Sequence, residues 1–345
     1  SRNAISIKRF WLILGYSCNN KCIHCYTYPV KNNENWMDLR YATEIMISMA
    51  EAGVKQCLLI GGEPTLYPHL DELIVKGRNI GLSLYLITNG RLLSDENISR
   101  SLFDAGLNGV SISIEGASNQ THEIITRTRS FSETCEGTRV CAKIKKVNTI
   151  TTITKFNASE IKDILILAHD LGASNSILNF EIPSLTDNIS HKADIISPIQ
   201  MANIAEKALW EASNIGLDVF LNMTLPLCLF SKETLEKFHV EKSMSTVCHM
   251  YNGSGIAFDP NGNILPCTHC PSHFLAEGCK DKSNQFKMSK EIVDYWENPL
   301  SEPGSFREKL WCYPAPKCEM CDLWGVCVGG CPLLWTYFEP EEIIR

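Results

Sequence analysis

The sequence predicts an α/β fold: a partial (β/α)6 TIM-like barrel followed by a small cysteine-rich domain. Three observations predict it. From Phe10 to about Phe180, short β-branched runs alternate with longer segments of helical period, the pattern of successive βα units with parallel strands. Three cysteines, Cys18, Cys22 and Cys25, follow directly on the first of those runs. Beyond residue 247 the chain becomes cysteine-dense and turn-rich, and poor in long periodic helices. That tail reads as a small domain organised by metal instead of by a large core.

Taken in order, the expected strands cover residues 11–14, 56–60, 83–87, 109–114, 149–154 and 176–181. Helices are expected near 38–52, 68–80, 94–105, 131–145 and 159–171. Ser94 and Ser159 are the expected N-caps, and Gly53, Gly81, Gly106 and Gly172 stand where helices should end. Right-handed crossovers curl six such units into a partial barrel, whose sites lie at the carboxyl ends of the strands. The cysteine trio, after strand one, falls at that end. A further helix over 198–215 and a strand over 217–224 carry the chain to Leu225-Pro-Leu-Cys228, where the repeat stops. The expected organisation is therefore a barrel domain over 1–230, a linker over 231–247 and a cysteine-rich domain over 248–345.

Composition narrows the class. At 345 residues and 44% hydrophobic content the chain buries a sizeable core. No charged-then-apolar signal sequence opens it, and no apolar run approaches the roughly 20 residues a membrane span needs. The net charge of −7 is spread without a basic block, so neither nucleic acid nor membrane is an expected partner. Sixteen cysteines in so large a chain argue against a disulfide scaffold and for metal use in a reducing, cytoplasmic setting.

The run Cys18-Asn-Asn-Lys-Cys22-Ile-His-Cys25-Tyr26 offers three thiolates at one loop. Iron–sulfur clusters are usually held by four, so a tight trio implies a cubane with one iron left open for an external ligand. The competing reading is a structural zinc knot. Zinc wants four tetrahedral ligands, and His24, inside the C-x2-C step, would have difficulty converging with both flanking sulfurs. The C-x3-C-x2-C spacing followed by the aromatic Tyr26 resembles the signature of the radical S-adenosylmethionine (SAM) enzymes.

Gly61-Gly62-Glu63-Pro64 follows strand two. Two glycines permit close backbone approach to a ligand, and the Glu63 carboxylate can accept from an ammonium. Behind the trio, this run resembles the motif with which that family holds the methionyl amino group. Ser111-Ile-Ser-Ile-Glu-Gly116 ends strand four and is similar to the family's Ser-x-Asp-Gly, with Glu115 in place of aspartate. The resemblance implies that Tyr26, Gly61, Gly62, Glu63, Ser113, Glu115 and Arg127 bind SAM, with Arg129 competing for the role of Arg127. Thr88-Asn89-Gly90 either lines the same pocket through Asn89 or is a plain turn. His122 is read as an ordinary surface or helix-start histidine.

In the tail, Cys318, Cys321, Cys327 and Cys331 have the spacing C-x2-C-x5-C-x3-C, and upstream Cys248 and Cys267 frame a C-x13-G-x4-C unit. Together they resemble the SPASM domain, which holds auxiliary iron–sulfur clusters; a zinc ribbon is the alternative. The resemblance assigns Cys248, Cys267 and Cys331 to one auxiliary [4Fe–4S] cluster and Cys318, Cys321 and Cys327 to a second. No cysteine stands between residues 332 and 345. For the second cluster, Cys312, Cys270, Cys279 or Asp322 is expected to substitute, or that iron is open, or a ligand lies beyond residue 345. The first cluster needs a fourth ligand too, with Cys270, Cys279 and Cys228 as candidates. Cys57, Cys135 and Cys141 read as buried fillers.

The resemblance implies reductive cleavage of SAM to a 5′-deoxyadenosyl radical, which abstracts hydrogen from substrate behind walls that exclude water. The electron would come from a donor such as flavodoxin or ferredoxin. A ribosomally made peptide is the expected substrate, with a small molecule such as a sugar, nucleotide or tetrapyrrole as the second reading. Maturation of sulfatases is disfavoured because Thr268, not aspartate, follows Cys267. A leader-binding segment ahead of residue 18 is not expected. Cys228, where the chain leaves the barrel, is the candidate catalytic hydrogen-atom donor, with cluster ligand or buried thiol as its other readings.

Overall fold

A computed structural model describes residues 6–27, 30, 35–183, 195–239, 241–276 and 289–344. They group into two compact units. The first comprises Ser1–Asn19, Cys25–Ser111 and His249–Leu310; the second comprises Asn20–His24, Ile112–Cys248 and Trp311–Arg345. The expected α/β class, parallel strands joined by helices, is what forms.

In the first unit, β1 (Arg9–Ile13), α1 (Leu39–Glu51), β2 (Gln56–Ile60), α2 (Leu70–Ile80), β3 (Ser83–Thr88) and α3 (Glu96–Ala105) alternate as expected. The strands β1, β2 and β3 are parallel neighbours, with Phe10 opposite Cys57 and Leu12 opposite Leu59. Phe10, Leu12, Cys57 and Leu59 are fully buried, as a strand covered on its inner face requires. Asp38 caps α1 by accepting from Tyr41 N, and Gly81 closes α2 in the left-handed conformation. The cap of α3 is Asp95, not Ser94: the carboxylate accepts from Asn97 N, while the Ser94 hydroxyl donates to Arg91 O. The division between the two units falls within β4 (Gly109–Ser113), after Ser111.

Two features of this unit were not expected. Gly255–Phe258, here β8, lies parallel to β1 on the side away from β2, with Ile256 opposite Phe10, and β9 (Ile264–Leu265) pairs antiparallel to it. All four residues of β8 are buried, so no alternation marks it as a strand. Two nine-residue helices, Ser289–Glu297 and Glu302–Leu310, also stand in a tail expected to be poor in long helices. The Trp296 indole donates to Gly253 O at 2.8 Å, and Arg307 lies over its ring.

In the second unit, α4 (Asn119–Thr126), α5 (Phe131–Ile144), β5 (Val147–Ile153), α6 (Ile161–Asp170), β6 (Asn175–Phe180), α7 (Pro198–Ile215) and β7 (Asp218–Leu221) follow β4. The strands β5, β6 and β7 pair in parallel, in chain order. Ser197 and Gln200 form a capping box at the start of α7, with Pro198 at its first position. Ser159 does not cap α6. A 3-10 turn, Ala158–Glu160, precedes that helix, and the Glu160 carboxylate instead accepts from Ala117 N and the Thr121 hydroxyl. Helix α4 was missed by the sequence reading; Ser118 caps it by accepting from Thr121 N. Cys57, Cys135 and Cys141 are buried, as read.

Candidate active site and cluster-binding cysteines

In the first unit the loops after β1, β2 and β3 meet at the carboxyl ends of these strands. Gly62 N donates to Gly15 O at 2.8 Å and Glu63 N to Ser17 O at 2.9 Å, so the Gly-Gly-Glu run is laid against the chain leading to Cys18. Side chains would prevent this. A Cβ on Gly61 would meet Gly15 O at 2.5 Å, and one on Gly62 would meet Tyr16 O at 2.3 Å and Ser17 O at 2.4 Å. The close approach that demands these glycines is therefore to the neighbouring backbone, a reason different from the ligand contact expected.

Glu63 is buried and four donors converge on it. Its Oε1 accepts from Thr65 N, Thr65 Oγ1 and Thr88 Oγ1 at 3.0, 2.6 and 2.5 Å, and its Oε2 accepts from Asn89 N at 2.8 Å. Burial raises its pKa, and the four hydrogen bonds oppose that rise. Oε2 keeps acceptor capacity for a cation. Asn89 is more than a turn residue: its amide nitrogen donates to Asn19 Oδ1 at 2.6 Å, beside Cys18, while Arg91 donates to Asn19 O at 2.7 Å. Cys18 is exposed and Cys25 half-buried, with Cys25 Sγ 3.0 Å from Thr27 Oγ1. Tyr26 packs its ring 4.5 Å from that of His269, and burial holds its phenol above the ordinary value. Cys267 and Cys270 are buried in this same unit, and Cys267 Sγ accepts from His269 N at 3.5 Å.

In the second unit, Ile23 N and Lys21 N, on either side of Cys22, donate to Ile125 O and Thr126 O at the end of α4. Arg127, the next residue, is exposed and turns the chain in the left-handed region at φ 52°, a conformation uncommon for a side chain of this size. Arg129 is also exposed. Ser113 is half-buried at the end of β4. Glu115 is buried; its Oε2 accepts from Thr152 N at 3.0 Å and its Oε1 lies 3.6 Å from His24 Nε2. Burial pushes its carboxyl up to about 8, against the Thr152 hydrogen bond.

His122 is not on the surface. It is buried, its Nδ1 accepts from Glu115 N at 3.1 Å, and its Nε2 lies 3.2 Å from Ser130 Oγ. Burial lowers it to about 4, so the ring is neutral at pH 7 and carries its proton on Nε2. Asn157 completes the frame by donating to Glu115 O and Thr152 O. Asn157 has no place in the sequence reading, which weighs His24 only as a zinc ligand and His122 only as a surface or helix-start residue. For His24, its place inside the cysteine motif was the available signal.

The carboxy-terminal cysteines of this unit divide. Cys318 and Cys327 are buried and Cys321 exposed; together with Cys228, Lys317, Leu323 and Trp324 they line a cavity with about 400 Å³ of space, part of it open to solvent. Two backbone amides donate to Cys327 Sγ: Leu227 N at 3.4 Å and Gly329 N at 3.3 Å. Such N–H···S bonds stabilise a thiolate and fit an iron–sulfur ligand. Partial burial and the Cys327 and Cys318 thiols hold the Cys228 thiol above its ordinary value. Cys331 is buried, Cys248 half-buried and Cys312 exposed outside the cavity. Cys279 lies outside the described residues. Among the described residues, no three His, Cys, Asp or Glu side chains converge on a point as ligands of a single metal ion do. No described helix is long and apolar enough to cross a membrane.

Parallel βα units with a three-cysteine loop and a Gly-Gly-Glu turn at their carboxyl ends define an enzyme class built to hold a sulfonium cofactor on a cluster. Residues 12–168 match the radical SAM superfamily. The chain is 30% identical to the probable GTP 3′,8-cyclase of Methanothermobacter marburgensis, across 72% of this chain and 80% of that protein. It is 28% identical to the AdoMet-dependent heme synthase of Methanosarcina barkeri, across 90% and 87%. With the subtilosin biosynthesis protein AlbA of Bacillus subtilis it shares 23% identity, across 93% of this chain and 66% of that one. Among solved structures, Streptococcus suis SuiB bound to its precursor peptide SuiA is similar in fold, with TM-score 0.70, 15% identity and coverage of 99% and 75%. So is anSMEcpe with bound AdoMet and a peptide, with TM-score 0.70, 18% identity and coverage of 94% and 88%. The chain belongs to the radical SAM superfamily and is an enzyme, with SAM and a [4Fe–4S] cluster as the family's cofactors.

Proposed function

We propose that this enzyme abstracts a hydrogen atom from a peptide and so modifies it, with residues 1–230 generating the radical and 248–345 forming a SPASM-like auxiliary domain after a 231–247 linker. Cys18, Cys22 and Cys25 would hold the SAM-binding cluster. When bound, cluster and SAM together supply a 5′-deoxyadenosyl radical through one-electron cleavage of the sulfonium. Gly61, Gly62 and Glu63 set the floor on which the methionyl ammonium would rest, with Glu63 Oε2 as its acceptor. Ser113, Glu115 and Arg127 are assigned to the ribose and carboxylate, and Tyr26 and Asn89 to the pocket wall. The observation that carries the reading is the fourfold clamp on Glu63, which orders this turn beside the cysteine loop before any ligand arrives. The electron would come from a flavodoxin or ferredoxin.

A peptide substrate is supported by two similarities that run the length of the chain, to AlbA, a bacteriocin biosynthesis protein, and to the fold of SuiB holding a precursor peptide. The second reading is a tetrapyrrole, favoured by the identity to the heme synthase over 90% of this chain. Anaerobic reconstitution followed by dithionite and SAM is expected to release 5′-deoxyadenosine and methionine; absence of both would end the enzymatic assignment. Deuterated peptide and deuterated iron tetrapyrrole, offered separately, then decide the substrate class by which one passes its label into 5′-deoxyadenosine.

A further inference from the structure

We propose that Cys228 is the fourth thiolate of the cluster held by Cys318, Cys321 and Cys327, closing a four-cysteine site. The inference deepens the auxiliary-cluster part of the reading above and rests on it.

The cavity shows the set. Its wall carries four cysteines, and four is the number an all-thiolate cubane takes. Three come from one turn-rich stretch around Pro316–Glu319 and Trp324, and the fourth comes from the segment that follows β7. Of the substitutes the sequence suggested in this part of the chain, neither Cys312 nor Asp322 lines the cavity.

The two segments are fastened together immediately ahead of the proposed ligand. Cys331 N donates to Thr224 O at 3.0 Å, and Leu227 N donates to Cys327 Sγ at 3.4 Å. A Cβ on Gly330 would meet Pro226 Cδ at 2.8 Å, so this glycine lets Pro226 approach. The residue before Cys228 thus already binds the sulfur of one of its three partners, and the chain places the next side chain on the same cavity wall. Cys228 is exposed toward that space, not packed as a filler. A single zinc ion would need the four sulfurs drawn to about 2.3 Å from one centre. Among the described residues no three such side chains converge on one point in that way, so the four-thiol wall is assigned to a cluster and not to a single ion.

This placement gives Cys228 a role that excludes hydrogen donation to substrate, since a thiolate bound to iron carries no S–H hydrogen. The closing of the site also leaves that cluster no open iron, so its part is electron transfer.

The test uses the full chain, reconstituted anaerobically with iron and sulfide, in a Cys18→Ala/Cys22→Ala/Cys25→Ala background that removes the SAM-binding cluster. Iron and sulfide per chain are measured, and the oxidised and reduced samples are read by electron paramagnetic resonance. Adding Cys228→Ala is expected to lower iron by about one to four atoms per chain and to produce a three-iron signal or the loss of one reduced-cluster signal. Cys312→Ala should leave both readouts unchanged. Cys228→Ser, which keeps an oxygen ligand, should restore iron toward the parent value with an altered signal. Unchanged iron and unchanged spectra in Cys228→Ala, or the loss appearing in Cys312→Ala instead, would overturn the proposal. The auxiliary-cluster reading itself fails differently: Cys318→Ala/Cys321→Ala/Cys327→Ala would then match the parent in iron. Far-ultraviolet circular dichroism and soluble yield, matched to the parent, show that the variants fold.

Discussion

The imidazole of His24 stands 3.6 Å from the Glu115 carboxylate, both side chains withdrawn from solvent. His24 lies between Cys22 and Cys25, and Glu115 stands where the family usually has aspartate. One oxygen of that carboxyl accepts from Thr152 N while the other approaches the histidine. Tertiary structure thereby ties the cysteine motif to the end of β4 through a residue the motif itself does not require.

Glu115→Gln should make the apo-protein more stable at alkaline pH. A carboxyl whose folded pKa is raised from 4.5 to about 8 keeps its proton when the unfolded chain has lost its own. Stability from this group is therefore lost as pH climbs through that window, at up to about 1.4 kcal/mol per pH unit. Urea unfolding of the cluster-free chain between pH 5 and pH 8 checks it. The variant should show the flatter profile, and identical slopes would refute the assignment.

His122 works in the opposite sense. Its pKa falls from 6.5 to about 4, so the unfolded chain takes up a proton that the folded chain refuses. Its contribution is intact above about pH 6.5 and disappears as the solution is acidified toward pH 4. His122→Gln should flatten that acid limb while losing the hydrogen bond from Glu115 N, worth about 1 kcal/mol, at neutral pH. Proton uptake on unfolding at pH 5.5, smaller in the variant, is the measurement.

Gly62→Ala should damage the amino-terminal cluster more than the fold as a whole. The new methyl would lie 2.3 Å from Tyr16 O, so the chain toward Cys18 must move. We expect the reconstituted variant to hold about four fewer irons per chain, with strand packing retained in circular dichroism. Iron content equal to the parent's would contradict the tight approach.

Glu63→Gln should weaken SAM binding about tenfold or more. An amide replaces a carboxylate that four donors surround, and its nitrogen must face either Asn89 N or the Thr88 hydroxyl, leaving donors opposed. Isothermal titration of reconstituted protein with SAM reads the change. Glu63→Asp, which keeps the charge but shortens the arm, should bind between the two.

Much of the frame was legible because it is written in short-range pattern. Residues 56–60 are β2 as expected, and 198–215 are α7, since period and caps are properties of neighbours along the chain. The errors have physical causes too. Ser94 and Ser159 have cap chemistry, but an aspartate one residue on, or a 3-10 turn, won the position. Gly255–Phe258 carries no alternation because both of its faces are covered. His122 looked like a helix-start residue because helix α4 itself went unread, and its burial comes from neighbours such as Phe131 and Ser130.

By itself the sequence determined the α/β class and the chemistry on offer, because the spacing of Cys18, Cys22 and Cys25 and the alternation of strand and helix are local facts. Only the tertiary structure decided partnership: the donors that close on Glu63, the histidine that meets Glu115, and the cavity whose wall Cys228 shares with Cys318, Cys321 and Cys327. Leu227 and Cys327 are 100 residues apart yet hydrogen-bonded. No periodicity in a chain records which distant loops packing will bring together, because that choice belongs to the core beneath them.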